Sequence, residues 1–373
     1  MLTYHLLKEY TASLNIELLG IIDGGDLEDT REMLLERISN HHDTPWENSH
    51  VISRTSPHYH LPGCKSILLL ALPYQKPLIP ETPQQDMGPR GSVARFAQSI
   101  DYHHLLKYKA QQIVDFLKKE TNVSFSFQIL VDKTSLVERA LVKKAGVTTG
   151  LNCTIFSENY GSWIALGEIL LDLTLPISSA TASSTCLECE ECLKVCPTGA
   201  IAAKRPMDPF KCISYLTQSP GNMPEAYRTL LGNQIYGCDA CQEVCPLNQV
   251  ASPSPLPELG HLFLPSKPAL IPFLNMTKKE FSLTAGLTCA GWRGHLPLMR
   301  NAVINLGNSG DDRAEAPLAS LLYSHQRPEI RGHAAWALGQ LGNNRARTAL
   351  DRVLFREKDP QVLQEVRNSL ALL

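Results

Sequence analysis

The stretch Cys186-Leu187-Glu188-Cys189-Glu190-Glu191-Cys192-Leu193-Lys194-Val195-Cys196-Pro197 decides how this chain is read. Its cysteines follow the spacing C-x2-C-x2-C-x3-C-P, with which bacterial ferredoxins hold a pair of 4Fe–4S cubes. Three closely spaced thiolates wrap one corner of a cube from a single turn of chain. The fourth, next to proline, is directed away toward a second cube. A later group, Cys238-x2-Cys241-x3-Cys245-Pro246, has the same ending but lacks the first ligand, which Cys212 can supply from a distance. The eight thiols then divide without remainder: Cys186, Cys189, Cys192 and Cys245 for one cluster, and Cys196, Cys212, Cys238 and Cys241 for the other. Structural zinc is the competing reading, because all-cysteine zinc sites also use CxxC pairs. Zinc needs only two such pairs and accounts for neither the triple CxxCxxC nor the repeated Cys-Pro ending. Cys64, Cys153 and Cys289 stand alone and are expected to be packed thiols.

Eight of the 11 cysteines are crowded between Cys186 and Cys245, unlike the even spread of a secreted disulfide scaffold. With 373 residues, 43% hydrophobic and 19% charged, the chain is expected to be a soluble globular protein of two or three domains. Lys and Arg (35) nearly balance Asp and Glu (37), which excludes a histone-like tail, a polyacidic tail and a mostly disordered chain. A nucleic-acid partner must then be held by a local patch. The best apolar stretch, Trp163 to Ile177, is broken by Glu168 and Asp172 and falls short of the roughly 18 residues that cross a bilayer. His5, Lys8 and Glu9 interrupt the N-terminal apolar residues, which therefore do not form a signal peptide. The expectation is a cytoplasmic protein with no membrane partner.

Residues 1–177 read as an α/β domain. Helices are predicted near Leu2 to Leu14, Leu27 to Ser39, Tyr102 to Lys119 and Leu136 to Lys144, with strands at Lys65 to Leu72 and Phe125 to Val131. Such alternation implies a sheet covered on its faces. Residues 178–257 form the two-cluster ferredoxin-like module, entered through the small polar run Ser178 to Thr185 and closed by the Pro-rich Ala251 to Pro257. Residues 258–373 are a linker and a helical repeat. Asn301-Ala302-Val303-Ile304-Asn305-Leu306-Gly307 aligns with His333-Ala334-Ala335-Trp336-Ala337-Leu338-Gly339, and a third copy is expected near Val366-Arg367. The pattern resembles a short HEAT-like array, with an ordinary helical hairpin as the plainer alternative.

Paired clusters form a wire that needs a terminus. The N-terminal half has neither a GxGxxG after a strand nor a GxxxxGK[ST], so neither a dinucleotide site nor a P-loop is indicated. It does carry Ala94-Arg95-Phe96, Asp101-Tyr102-His103, Val131-Asp132 followed by Glu138-Arg139, Gly146-Val147, Gly150, Asn152, and Tyr160-Gly161-Ser162-Trp163 with Leu166-Gly167-Glu168. With Cys212-Ile213-Ser214-Tyr215-Leu216-Thr217 and Gly232-Asn233-Gln234-Ile235-Tyr236-Gly237-Cys238-Asp239-Ala240-Cys241, the chain resembles the epoxyqueuosine reductases along essentially its whole length.

That resemblance implies a cobalamin-dependent reduction of epoxyqueuosine to queuosine at the wobble position of a tRNA, with two 4Fe–4S clusters feeding the corrinoid from an external electron donor. It implies Asp132 as proton donor, at a strand end where a buried carboxylate can face a cavity. The plain reading of Asp132 is a helix N-cap. Arg54, Phe96, Asn152, Ser214 and Asp239 are implied cofactor contacts, and Asp101-Tyr102-His103 either lines the pocket or simply starts a helix. In the loop Gly150-Leu151-Asn152-Cys153-Thr154, Leu151 stands where the family usually has Lys. The partner would be the anticodon stem-loop, its base read in a pocket after extrusion. From Ala290 onward 11 basic residues face 8 acidic ones, and Arg293, Arg300 and Arg331, at or near helix starts, are candidates for phosphate contact, with solvated helix-surface arginines as the plainer alternative. A monomer is expected. Reductive-dehalogenase-like corrinoid chemistry and a non-enzymatic iron–sulfur electron carrier remain the alternatives.

Overall fold

The run Ser66–Pro73 (SILLLALP) is buried at all its positions, as a central strand covered on both faces should be. In the computed structural model, which describes residues 3–76, 88–132, 135–178, 186–202 and 207–373, it lies inside a four-stranded antiparallel sheet. We label the strands β1 (Glu17–Asp23), β2 (Ser66–Pro73), β3 (Phe127–Leu130) and β4 (Ile164–Leu171), and their order across the sheet is β1-β2-β4-β3. Neither β1 nor β4 was legible as a strand. Gly20 interrupts the first, and the second carries Glu168, which is 1% exposed. The small polar run into the cysteine-rich stretch lies outside the described residues apart from Ser178.

Four helices matter for the site: α1 (Tyr4–Ser13), α2 (Glu28–Ser39), α3 (Tyr102–Thr121) and α4 (Glu138–Lys144). All four coincide closely with the periodic stretches of the sequence. Thr3 caps α1 by accepting the Leu6 N–H, and Asp101 caps α3 by accepting the His103 N–H at 2.9 Å. Side chains alternate along β2, which gives the sheet two distinct faces. Ile67, Leu69 and Ala71 share one buried cluster with Leu141 and Val142 of α4. Leu70 points the other way, beside Gly167 in register, and there a Cβ on Gly167 would come within 2.8 Å of Leu106 of α3. Each helix therefore covers one face.

The chain gathers into two compact units, and neither is a single run of sequence. The first comprises residues 1–77, 101–209 and 240–260 and contains the sheet. The second comprises residues 78–100, 210–239 and 261–373. In it Ser92–Val93 pairs in parallel with Gln234–Tyr236, and a helical repeat follows: α5 (His295–Ser309), α6 (Glu315–Ser324), α7 (Pro328–Leu341), α8 (Asn344–Val353) and α9 (Pro360–Ala371). α5 packs on α7 and α7 on α9, so the third copy exists as α9. The repeat glycines make the close approach possible. A Cβ on Gly307 would lie 2.7 Å from the Ala337 Cα, and one on Gly339 would lie 2.7 Å from the Ser369 Cβ. Gly307→Ala is therefore expected to destabilise the repeat by about 1–3 kcal/mol through overpacking, despite alanine's better helix propensity. Thermal or urea unfolding monitored by circular dichroism would measure this.

Two of the three arginines expected at phosphates are otherwise engaged. Arg300 is 1% exposed and donates to the backbone carbonyls of Leu216, Ser219 and Gly221 at 2.8, 2.6 and 2.8 Å. Arg331 makes a two-pronged pair with Glu357 at 2.7 and 2.9 Å. Their helix-start positions resembled surface sites, but their partners are remote in sequence. Arg293 is exposed and lies over the Trp292 ring, 3.8 Å from its centroid. Among the described residues no helix is long and apolar enough to cross a membrane.

Candidate active site

β3 ends at Leu130, and the chain continues through Val131 to Asp132, whose φ of 51° lies in the left-handed region. A non-glycine residue there stores about 1 kcal/mol or more and needs support. The support is a hydrogen bond from the Asp132 backbone N–H to Oε1 of Glu138, the first residue of α4, at 2.7 Å. Asp132 is not the N-cap of α4, because Val137 holds that position and no side chain caps the helix.

The Asp132 carboxylate meets the start of α3 instead. Its Oδ2 accepts the Tyr102 hydroxyl at 2.6 Å and lies 3.1 Å from Nε2 of His103. On the other side of the ring, His103 Nδ1 lies 2.5 Å from Oδ1 of Asp101. Asp101 thus starts the helix as its cap, one of the two readings of the Asp101-Tyr102-His103 triplet, and also fixes the imidazole that faces Asp132. Burial opposes a charge on His103, but the hydrogen bonds to Asp101 and Asp132 outweigh it and raise the ring to about 9. The imidazolium is therefore the resting form near neutral pH. Its stabilising contribution is complete below the ordinary value of 6.5 and is lost as pH rises through about 9.

Asp132 itself departs from expectation, for its side chain is 55% exposed rather than buried. The buried acids are its neighbours. Burial, followed by the Asp132 charge, pushes Glu138 up to about 8. Burial, followed by the charges of Glu138 and Asp132, raises Glu168 well above the ordinary carboxyl value. In the sequence Tyr102 and His103 read as pocket lining or a helix start, Glu138 as a matching residue, and Glu168 as a matching residue and a charge that breaks an apolar stretch. Nothing local in the chain marks either glutamate as buried.

Also in the first unit, Arg54 is buried, pairs with Glu47 at 2.7 Å, and accepts the Val137 N–H through its carbonyl at 3.0 Å. It thus supports the approach to α4. Asn152 is buried, its Oδ1 accepts the Thr154 hydroxyl at 2.8 Å, and its Nδ2 donates to the Cys241 carbonyl at 3.5 Å. Together with Leu151, Phe156, Leu187 and Leu247 it lines a cleft into which Cys186, Cys189, Cys192 and Cys245 all open. Four thiols in one largely apolar cleft suit a cube of iron and sulfide better than a hydrated ion. Leu151, in place of the more usual lysine, adds to its apolar wall. Of the second set, Cys196 and Cys241 belong to this unit, and Cys212 and Cys238 to the other. Backbone N–H groups of Thr198, Ala200 and Ile201 point at the Cys196 sulfur, and with the Thr198 hydroxyl they outweigh burial and favour the thiolate. Cys64 and Cys289 are buried as expected, while Cys153 is half-buried.

The second unit holds the other residues singled out. Oδ2 of Asp239 accepts the Arg95 N–H at 2.8 Å. Phe96 lies 6.0 Å from Tyr236, centroid to centroid, and a Cβ on Gly237 (φ 69°) would strike its ring at 2.9 Å. The Ser214 hydroxyl accepts from Gln218 at 3.2 Å, and Gln218 in turn accepts from Tyr236 and Trp292.

Comparison with known proteins agrees with this chemistry. The model for a 4Fe–4S double cluster binding domain matches residues 185–248, and that for HEAT repeats matches residues 297–371. Cluster ligands joined to a unit that presents hydrogen-bonded acids make this an iron–sulfur oxidoreductase. The model described as Epoxyqueuosine reductase QueG, DUF1730, matches residues 54–133. The epoxyqueuosine reductase of Bacillus cereus is 33% identical over 98% of this chain and 96% of its own, and that of Bacillus subtilis is 32% identical over 98% and 95%. The chain belongs to the epoxyqueuosine reductase family. A crystal structure of an epoxyqueuosine reductase with an epoxyqueuosine-modified tRNA stem loop superposes with a TM-score of 0.91 at 31% identity, covering 99% of this chain and 98% of that one. A Bacillus subtilis structure with its catalytic loop swung out of the active site gives 0.87 at 30% identity, covering 99% of both chains.

Proposed function

We propose that this chain reduces epoxyqueuosine to queuosine at the wobble position of tRNA, with Asp132 as the acid that protonates the departing oxygen. The observation that carries the reading is the convergence of Tyr102 and His103 on one oxygen of a half-exposed carboxylate, in a chain that also carries eight ferredoxin-spaced thiols. Breaking both C–O bonds of an epoxide and forming the C=C bond takes two electrons and two protons, and the oxygen leaves as water. Asp132 faces outward, where a substrate can reach it. Tyr102 holds Oδ2 from one side and His103 from the other, and Asp101 fixes the imidazole. Asp132 rests as the carboxylate, so the protonated His103, one hydrogen bond away, supplies the proton that Asp132 passes to the oxygen, and water supplies the second at the half-exposed carboxyl.

Iron–sulfur clusters pass electrons singly from an external donor, whereas the epoxide needs a pair, so a two-electron carrier must stand between them. The family's carrier is cobalamin; of the contacts proposed for it, Arg54 and Asn152 in the first unit offer hydrogen-bonding groups, and in the second unit Phe96 offers a ring and Ser214 and Asp239 offer polar groups. When bound and reduced, cobalamin supplies the electron pair. Residues 1–177 would carry the reaction, 178–257 the electrons and 258–373 part of the RNA contact, with Arg293 the exposed candidate for a phosphate. The protein acts in this reading as a cytoplasmic monomer on an anticodon stem-loop.

The test is anaerobic incubation of the cluster- and cobalamin-loaded protein with tRNA bearing epoxyqueuosine, followed by mass analysis of the nucleosides. Conversion to queuosine is expected, with a rate that falls as pH rises through about 8 to 9, where Glu138 and then His103 lose their protons. Binding of cob(II)alamin without conversion would favour a different corrinoid reduction. Failure to bind any corrinoid would favour an electron carrier.

A further inference from the structure

Trp292 is 42% exposed, and a single exposed ring calls for no explanation by itself. What sets this indole apart is how firmly it is held. Its Nε1–H donates to Oε1 of Gln218 at 3.2 Å. The Gln218 amide is itself fixed, donating to the Ser214 hydroxyl at 3.2 Å and the Ser214 carbonyl at 2.9 Å, one turn back on the helix Ile213–Gln218. The Tyr236 hydroxyl lies 3.0 Å from both the Gln218 oxygen and the Cys289 carbonyl. Cys289–Arg293 is a short turn of 3-10 helix, capped by the Thr288 side chain, which accepts the Ala290 N–H at 3.1 Å. The turn packs so closely that a Cβ on Gly291 would lie 2.7 Å from the Gly286 Cα. The ring is therefore set in place before any ligand arrives. The exposed Arg293 adds a planar cation, 3.8 Å from the centre of the indole. All of these residues belong to the second unit.

A fixed apolar ring with a guanidinium laid on it matches the two parts of an unpaired nucleotide. The base stacks on aromatic and guanidinium planes, and the cation neutralises the adjoining phosphate. Paired bases in a duplex already stack on one another, whereas a loop offers bases with a free face. We propose that Trp292 and Arg293 form a stacking platform for an unpaired nucleobase of the RNA loop, next to the nucleotide that is reduced. The inference rests on the tRNA reading above and names a contact that reading leaves open. Gln218 joins the indole to Ser214, one of the residues proposed to contact cobalamin, so the platform and that contact share one hydrogen-bonded amide. Because the ring is positioned in advance, little side-chain freedom is lost when the base arrives.

The test reads binding rather than turnover. Full-length, cluster- and cobalamin-loaded protein is titrated with a fluorescently labelled anticodon stem-loop RNA carrying guanine at the wobble position. Trp292→Ala should raise Kd about tenfold, the loss of one base–aromatic stack, and by the same factor at low and high salt. Trp292→Phe keeps a ring and should stay within about threefold of the unaltered protein. Arg293→Ala should instead flatten the salt dependence by about one counterion. Loop nucleotides are then replaced one at a time by abasic ones. One replacement should weaken binding to the unaltered protein as much as Trp292→Ala does, and should weaken Trp292→Ala itself no further. Iodouracil at that loop position should photocrosslink to Trp292 in the unaltered protein, a readout that does not depend on any variant folding. Unchanged affinity in Trp292→Ala, or losses that simply add at every loop position, would overturn the platform and leave the tRNA reading standing. Failure of the unaltered protein to bind the stem-loop would bring down both.

Discussion

Asp132→Asn is expected to lower turnover by about 10²–10⁴-fold, the usual contribution of a positioned general acid, while cluster content and corrinoid binding stay at wild-type levels. Asparagine is nearly the same size and can still accept the Tyr102 hydroxyl, so the local fold should survive. It cannot release a proton to the departing oxygen. The substitution also removes one of the two anions that keep His103 charged, so the pH above which activity fades should move down from about 9. Single-turnover kinetics across a pH series would show both effects. A variant with wild-type rate at every pH would remove Asp132 from the chemistry and transfer the acid role to His103 or Tyr102.

Cys192→Ser should produce the other large effect. Cys192 opens into the same cleft as Cys186, Cys189 and Cys245, so its loss should affect one cluster and spare the other. Iron is expected to fall from about eight to about four atoms per chain, with reduction of the epoxide lost because the electron path is cut. Cys153→Ser is the control, since Cys153 lies outside both ligand sets, and it should keep the full iron content. Iron analysis and low-temperature paramagnetic resonance on anaerobically reconstituted protein separate the two. Equal iron in both variants would sink the division of the thiols.

The reach of sequence reading follows the range of the interactions involved. The C-x2-C-x2-C-x3-C spacing is local geometry and was visible at once. So were β2, an unbroken apolar run, and α3, with its Asp101 cap and helical period. The repeat was visible because Gly307 and Gly339 recur at the same place in α5 and α7, the corresponding helices of successive repeats. What escaped depends on distant partners. β4 was hidden because Glu168 reads as a solvent-facing charge, whereas the fold encloses it between Leu69 and Leu130. Arg300 and Arg331 looked like phosphate ligands because the carbonyls of residues 216–221 and the Glu357 carboxylate that hold them cannot be inferred from their own neighbourhoods. The exposure of Asp132 was missed for the same reason. A strand end predicts a position along the chain and says nothing of how far the surrounding elements rise above it.

The Arg300 anchor also bears on modularity. Its guanidinium closes three main-chain carbonyls of the stretch Leu216–Gly221, and the adjacent Asn301 closes those of Thr217 and Ile235. The first helix of the repeat is thus stitched into the segment that follows Cys212. A chain trimmed before residue 295 would leave those acceptors without their donors, so the helical tail cannot be exchanged between relatives like a detachable cassette. Its first helix and the 212–238 stretch must be inherited as one piece.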